Sequence, residues 1–162
     1  MKAIPVLLLC FLVTIFANGQ SIKIKIAGVT AAAGEDVIAF EVSDTTGASV
    51  NGGGGQSTPV PSFEFVKIKK LKDVSTNELF KRSMLGTHTA NVTFEFYDAT
   101  STLFYTIVLL DVTINHFSYL TPECAGCTKM YHQVWLDYVK IESTDVSTGL
   151  QVRYNRTTRA TY

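Results

Sequence analysis

Apolar and polar residues alternate along much of the chain after residue 20. In residues 21–26, isoleucine alternates with serine or lysine, a pattern typical of a β-strand with one buried and one solvated face. Residues 38–42 and 92–97 repeat this alternation. Further stretches are rich in the β-branched and aromatic residues that favour strands: 63–68, 103–114, 134–141 and 150–154. This series of short strands predicts a mainly β fold, either a sandwich or a barrel.

Two of the predicted strands are apolar on both faces. Residues 103–110 carry no charge. In residues 134–141, alternation assigns one face to Val134, Leu136 and Tyr138 and the other to Trp135, Val139 and Ile141. A strand of a small closed barrel buries only its inner face, so we expect a cover over the outer one. That cover is either a helix or loop of the same chain or a neighbouring subunit.

One helix is predicted, over residues 76–85. Ser75 stands at the N-cap with Glu78 three residues later, which completes a capping box, and Val74 and Leu79 occupy the positions of a hydrophobic staple. Gly86 is placed for a left-handed C-cap. The predicted buried stripe of this helix is Leu79, Phe80, Ser83 and Met84.

Residues 1–19 are typical of a secretory signal peptide. Lys2 precedes an uninterrupted apolar run over residues 3–16, and small residues lead to a cleavage site between Gly19 and Gln20. The run is shorter than the roughly 20 residues that span a bilayer. We therefore expect no stable membrane insertion after removal of the signal, and a secreted or periplasmic product that can also be extracellular.

The composition excludes several classes of protein. Apolar residues make up 46% of the chain and charged residues 17%, which is incompatible with disorder. The chain has 14 basic and 14 acidic residues, so it lacks the basic surplus that nucleic-acid binding through phosphates requires. No nucleic-acid partner is expected.

Cys124 and Cys127 form a C-x-x-C motif that has three interpretations. We favour a short disulfide, because the predicted compartment is oxidising. A redox dithiol would need a helix N-terminus and a βαβ context, which this segment lacks. A metal site would need His132 or His116 as a further ligand. No paired carboxylates, triad or metal-binding helix is evident, so the sequence predicts no enzyme activity, cofactor or metal.

Residues 44–61 form a long connection that contains Gly52, Gly53, Gly54 and Gly55. A phosphate-binding loop would continue into a lysine and a helix, whereas this segment leads into a strand. Connections of this length without a periodic pattern are usually functional, so we expect a loop with a binding role. Residues 156–162 are predicted to form a polar C-terminal tail.

The order of these features resembles the Hcp family, the haemolysin-coregulated proteins of the type VI secretion inner tube. The resemblance covers residues 22–154. It rests on Gly34-Glu35-Asp36 before the second strand, the glycine run, and Phe63 and Phe65. It rests further on the helix segment 73–80, Gly86-Thr87-His88 and Asp111-Val112. Two features depart from the family: the cleavable signal, and Cys124 and Cys127 in a loop where the family usually has small and polar residues.

The resemblance implies that residues 20–155 form a β-barrel of two antiparallel sheets with one flanking α-helix and a long Gly-rich loop. Family members form hexameric rings that stack head to tail, carry small effectors and meet other components of the secretion apparatus. The loop with Gly52–Gly55 would contact the adjacent ring. The favoured hypothesis is therefore a structural, self-assembling and non-enzymatic protein. The alternatives are a monomeric exported binding module that uses the 44–61 loop, and a thiol-redox or metal-binding protein.

Overall fold

A computed structural model describes residues 19–42, 44–46, 61–121 and 129–162. These contain one α-helix, α1 (Thr76–Leu85), and twelve strands. The strands are β1 (Ser21–Ile26), β2 (Glu35–Val37), β3 (Ala39–Glu41), β4 (Asp44–Thr46), β5 (Pro61–Phe63), β6 (Val66–Leu71), β7 (Thr89–Tyr97), β8 (Leu103–Leu120), β9 (Tyr131–Asp137), β10 (Lys140–Asp145), β11 (Gln151–Asn155) and β12 (Ala160–Thr161). The mainly β fold with antiparallel sheets and a flanking helix is confirmed.

The long strand β8 belongs to two sheets. Its first part pairs with β7 and β10 in sheet 1, which has the order β12-β11-β10-β8-β7-β1-β2. Its second part pairs with β9, which pairs with β6 and then β3, and we call these four strands sheet 2. All of these pairings are antiparallel.

The sheets do not form the closed barrel expected from the sequence. At Ile38 the chain passes from β2, which pairs with β1, to β3, which pairs with β6. The Ile38 N–H donates to the Lys69 carbonyl at 2.7 Å across this step. Because β2 and β3 are three-residue segments in different sheets, one continuous ladder does not run around the core.

The core lies between the inner faces of the two sheets. Ile24, Phe94 and Leu109 of sheet 1 and Val66 and Val134 of sheet 2 are wholly buried. Phe40 of β3 extends this core, since its ring lies 4.8 Å from that of Phe94 in an edge arrangement. The alternation recognised in the sequence thus separates buried from outward positions on the central strands.

The predicted strand over residues 134–141 was wrong in its length, because it is two strands. β9 ends at Asp137 and β10 begins at Lys140, and both pair with β8. Tyr138 is buried, as expected from its alternation with Val134 and Leu136. The break shifts the phase of the following residues, so Ile141 pairs with buried Leu109 and packs on the core rather than facing outward.

The helix has the predicted bounds, and Gly86 adopts the predicted left-handed cap with φ 59°. The capping box was wrong. The Ser75 hydroxyl makes no bond to a helix N–H, and Glu78 instead binds Arg82 Nε at 3.2 Å. The staple was also wrong, because Val74 is 88% exposed.

The predicted buried stripe of the helix is largely wrong. Leu79 is buried, but Phe80 and Met84 are exposed, Met84 by 64%. The helix therefore rests on Leu79 and on Thr76, which is also buried. It has ten residues, and no helix among the described residues is long and apolar enough to span a membrane.

β4 and β5 form a separate two-stranded ladder at the base of the long connection, with Asp44 opposite Phe63 and Thr46 opposite Pro61. Gly52–Gly55 lie outside the described residues, as do Cys124 and Cys127. Gly19 and Gln20, at the predicted cleavage site, are exposed and directly precede β1. The predicted polar tail, 156–162, contains β12, which pairs with β11.

Candidate assembly surface

The outer face of sheet 2 carries aromatic and basic side chains. Strand alternation places every second residue of β6 opposite its buried positions, and the ladder brings outward residues of β9 and β8 beside them. Phe65, just before β6, stacks on this surface. We call it the aromatic face, and its members are Phe65, Lys67, Lys69, Leu71, His116, Ser118, Leu120, Tyr131, Gln133 and Trp135.

Trp135 contacts several other members of the aromatic face. Its ring lies 6.2 Å from that of Phe65 in a stacked arrangement and 4.9 Å from that of His116. Lys67 Nζ lies 5.4 Å from the Trp135 centroid, and Lys69 Nζ lies 5.0 Å from that of Tyr131, which are cation–π distances. The Trp135 indole N–H is buried and has no hydrogen-bond partner among the described residues. Together these contacts form a half-buried aromatic surface of the kind enriched at protein interfaces.

The helix covers the opposite side of sheet 2. The Phe80 ring lies 5.3 Å from Phe117 and 5.9 Å from Tyr119. Phe117 is paired with Val134 and Tyr119 with His132, both of which are buried, so these rings lie on the inner face. The helix, one of the covers expected from the sequence, thus packs on the inner side of sheet 2 and does not cover the aromatic face.

The outer face of sheet 1 is polar and rich in ion pairs. Lys25 Nζ lies 2.7 Å from Glu95 Oε1, and the Tyr97 hydroxyl donates to Glu95 Oε2 at 2.6 Å. Burial raises the pKa of Glu95, but the hydrogen bonds from Lys25 and Tyr97 outweigh it and hold that pKa below its ordinary value. Val108, one of the apolar outer positions of β8, lies between Thr93 and Glu142. Because its neighbours are polar, Val108 does not form part of a continuous apolar surface on this face.

A second apolar surface lies at the turn between β10 and β11. Val146, Leu150 and Val152 are exposed there, and we call them the C-terminal strip. The turn itself is ordered by Asp145, whose carboxylate accepts hydrogen bonds from the Ser147 and Thr148 N–H groups at 2.9 and 3.0 Å. The C-terminal strip is thus an exposed apolar patch next to a turn whose backbone is held by hydrogen bonds.

Lys70 is the buried charge that the sequence analysis did not identify. Its side chain is fully buried and pairs with Glu35 and with Asp73, at 2.6 Å from Asp73 Oδ2. Its ammonium group also donates to the Ser75 hydroxyl at 2.8 Å, and that hydroxyl lies 2.5 Å from Glu35 Oε2. The signal was present in the sequence, because Lys70 continues the inward phase of Val66 and Ile68.

This cluster explains why the capping box failed. The Ser75 hydroxyl is committed to Lys70 and Glu35, and Asp73 accepts the Ser75 N–H at 3.1 Å. Burial raises the pKa of Asp73, but its bonds with Lys70 and Ser75 lower it overall. The cluster joins β2, β6 and the start of the helix, so it positions the helix over the core.

The histidines do not converge on a site. His116 faces outward beside Trp135, whereas His132 faces inward and its ring stacks on Phe117 at 5.3 Å. Burial and the positive charge of Lys70 lower the pKa of His132 to about 4. The two residues considered as additional metal ligands therefore lie on opposite faces of sheet 2. The described part of the chain contains no group of three or more side chains able to hold a metal.

Comparison with known proteins identifies the family. A family model described as "Type VI secretion system effector, Hcp" matches residues 18–144. No curated protein sequence matches the chain.

Solved structures share the fold. Hcp1 from Salmonella typhimurium is 15% identical, with a TM-score of 0.73 over 89% of this chain and 99% of that one. A type VI secretion system effector from Yersinia pestis is 18% identical, with a TM-score of 0.66 over 83% of this chain and 98% of that one. Hcp1 from Flavobacterium johnsoniae is 11% identical, with a TM-score of 0.60 over 81% and 97%. The likeness to these structures shows the fold. Because the family model matches residues 18–144 of the sequence, the chain belongs to the Hcp family of type VI secretion system effectors.

Proposed function

We propose that this protein is an exported structural subunit that binds copies of itself head to tail in a closed ring. The observation that carries the proposal is Trp135, which lies half-buried on the side of sheet 2 opposite the helix. Clustered aromatic side chains with aliphatic neighbours such as Leu71, which is 38% exposed, are typical of surfaces that a partner protein covers. Membership of a secretion effector family supports identical subunits as that partner.

A closed ring of more than two subunits requires two different surfaces on each copy. The aromatic face is the first. We assign the second to the C-terminal strip of the next copy, because Leu150 and Val152 expose apolar side chains on an ordered turn. Contact between the two would bury aliphatic groups against the Trp135 and Phe65 rings.

The long connection is proposed to meet the adjacent ring. Its base is the β4–β5 ladder, which pairs with neither of the two sheets and which we call the hairpin stem. Gly52–Gly55 would then supply a backbone that orders only against a partner surface, at an entropic cost. Stacked rings, small effector proteins as cargo and contact with secretion components are parts of the same proposal.

Export is proposed to follow removal of residues 1–19. Cleavage between Gly19 and Gln20 would leave an N-terminus one residue before β1. Mass spectrometry of the exported protein tests this step directly. A product that retains residues 1–19 would contradict it.

The mass of the mature protein in solution tests the ring. We expect a particle with six times the subunit mass. Leu71→Lys, on the aromatic face, should shift it toward monomer, whereas Met84→Lys, which adds the same charge at an exposed helix position, should not. A wild-type monomer at high protein concentration would overturn the ring and favour the alternative, a binding module that uses the 44–61 loop.

A further inference from the structure

His132 is a buried ionisable side chain that the proposed ring does not use. It lies on the inner face of sheet 2 and is wholly buried, and neither of its ring nitrogens has a hydrogen-bond partner among the described residues. A buried polar group without a partner is uncommon and calls for an explanation. Burial and the positive charge of Lys70 lower the pKa of His132 to about 4, so its ring is uncharged at neutral pH.

The start of the helix is attached to sheet 2 through the two side chains next to His132. Lys70 lies directly opposite His132 in the β6–β9 ladder, and its ammonium group donates to the Ser75 hydroxyl, just before the helix, at 2.8 Å. On the other side, Phe117 stacks on the His132 ring at 5.3 Å with 13° between the ring planes. The Phe80 ring of the helix lies 5.3 Å from Phe117. A change of charge at His132 therefore acts on both attachments.

The titratable groups around His132 come from four elements. β6 contributes the positive charge of Lys70, the turn before the helix contributes the negative charge of Asp73, and β2 contributes that of Glu35. β8 contributes Tyr119, which lies opposite His132 and is uncharged in acid. The helix side chains that are buried carry no charge. Lys70 lowers the pKa of His132 by more than Asp73 raises it, so a protonated His132 is repelled overall.

A proton on His132 would place two cations at paired positions of a buried ladder. Like charges directly opposite each other destabilise a sheet, and a buried charge without a partner is costly. Apart from tyrosine, the polar side chains buried among the described residues are Lys70, Ser75, Thr76 and His132, and all four lie at the start of the helix. The cost of the proton therefore falls on this end of the core.

We propose that protonation of His132 releases the start of the helix from sheet 2 while both sheets stay folded. Release lets water reach the His132 ring and the Lys70 ammonium group together. It also exposes Leu79, which the helix buries, and the Phe117 ring. The aromatic face lies on the opposite side of sheet 2, so this acid-sensitive switch does not depend on the ring.

Proton linkage sets the size of the effect. With the helix attached, the pKa of His132 is about 4, and with the helix released and the ring in water it returns to about 6.5. The released state therefore binds a proton more tightly than the attached state, and lower pH favours release. The equilibrium constant for release should rise about a hundredfold between pH 7 and pH 4.

Hydrogen exchange of the mature protein tests the proposal, with the backbone amides of residues 79–83 as reporters. The Leu79 N–H donates to the Ser75 carbonyl at 2.9 Å, so its protection requires an intact helix start. His132→Phe keeps an aromatic ring that does not titrate. The exchange rate in the wild type, divided by that in His132→Phe at the same pH, should rise about a hundredfold between pH 7 and pH 4. His88→Gln, at an exposed histidine, should behave like the wild type.

The wild type alone provides a second measurement. At pH 4 its helix amides should have lost protection, while those of Phe94 and Leu109 in sheet 1 keep theirs. Simultaneous loss in the helix and in sheet 1 would show unfolding of the whole domain and overturn the switch. Equal acceleration in His132→Phe, or a helix that stays protected at pH 4, overturns it as well. A monomeric protein that releases its helix in acid would refute the ring and leave this inference standing.

Discussion

Lys70 Nζ lies 2.6 Å from Asp73 Oδ2, although the lysine side chain is fully buried. This pair joins the end of β6 to the turn that begins the helix, and Glu35 brings β2 to the same ammonium group. Two carboxylates and one hydroxyl surround the charge. Each of these groups depends on the others for its counter-charge or hydrogen bond, so the cluster should behave as one unit.

Lys70→Met tests the contribution of this cluster to stability. The substitution keeps the apolar stem but leaves Glu35 and Asp73 without their cation. We expect the free energy of unfolding to fall by about 3 kcal/mol, measured by urea denaturation. Adding Glu35→Gln to Lys70→Met should restore part of this loss, because it removes one of the uncompensated charges.

Lys23→Met is the matched control for that experiment. Lys23 pairs with Asp36 at 3.2 Å on the solvated outer face of sheet 1. Its removal should change stability by less than about 1 kcal/mol. Equal losses of unfolding free energy in Lys23→Met and Lys70→Met would show that the buried Lys70 ion pairs contribute no more to stability than an exposed one.

His132 should make the protein sensitive to acid. Burial and Lys70 lower its folded pKa to about 4, whereas the pKa of histidine in an unfolded chain is about 6.5. Between these values the unfolded chain binds a proton that the folded chain does not. The free energy of unfolding therefore falls as the pH drops from about 6.5 to about 4.

The variant His132→Phe should flatten that pH dependence, since phenylalanine can stack on Phe117 and does not titrate. Urea denaturation at a series of pH values measures the slope. His88→Gln changes an exposed histidine and should keep the wild-type slope. If His132→Phe retained the full slope, the acid sensitivity would have to come from other groups.

Trp135 should report assembly, because it is the only tryptophan in the chain. Covering the aromatic face moves its indole ring from a half-exposed to a buried environment. We expect its fluorescence emission to shift to longer wavelength as the protein is diluted. The Leu71→Lys variant should show the dissociated spectrum at every concentration, and a wild-type spectrum independent of concentration in an assembled particle would place the interface elsewhere.

Replacing Gly52–Gly55 with alanine should impair stacking of rings and leave the melting temperature of the subunit nearly unchanged. The reason is that the glycines are predicted to serve a contact with the adjacent ring rather than the core. Electron microscopy and calorimetry measure the two effects. A large loss of stability would show that the glycine run supports the fold of the subunit itself.

Thiol titration of the native mature protein tests the Cys124–Cys127 prediction. A disulfide leaves no titratable thiol until the protein is reduced. We expect no reaction before reduction and two thiols after it. Two reactive thiols of low pKa in the native protein would instead favour the redox interpretation.

The sequence alone predicted the mainly β fold, the bounds of the helix and its left-handed cap at Gly86. These features depend on neighbouring residues, because alternation and end signals act over a few positions. The same local information predicted that Trp135 lies opposite Val134 and Leu136. The resemblance in the order of these features also identified the family.

Only the tertiary structure decided which side chains form hydrogen bonds with one another and which ones pack together. Ser75 has the local pattern of a capping residue, but Lys70 and Glu35, brought from β6 and β2, take its hydroxyl. Ile141 continues the alternation of β9 in sequence, yet the break at Tyr138 turns it toward Leu109. The helix packs on β8 through the contact between Phe80 and Phe117. In this orientation Leu79 is buried and Met84 is exposed. The local sequence permits several hydrogen-bond and packing partners for each of these side chains. Contacts between residues far apart in the sequence decide among them, and these contacts exist only in the folded chain.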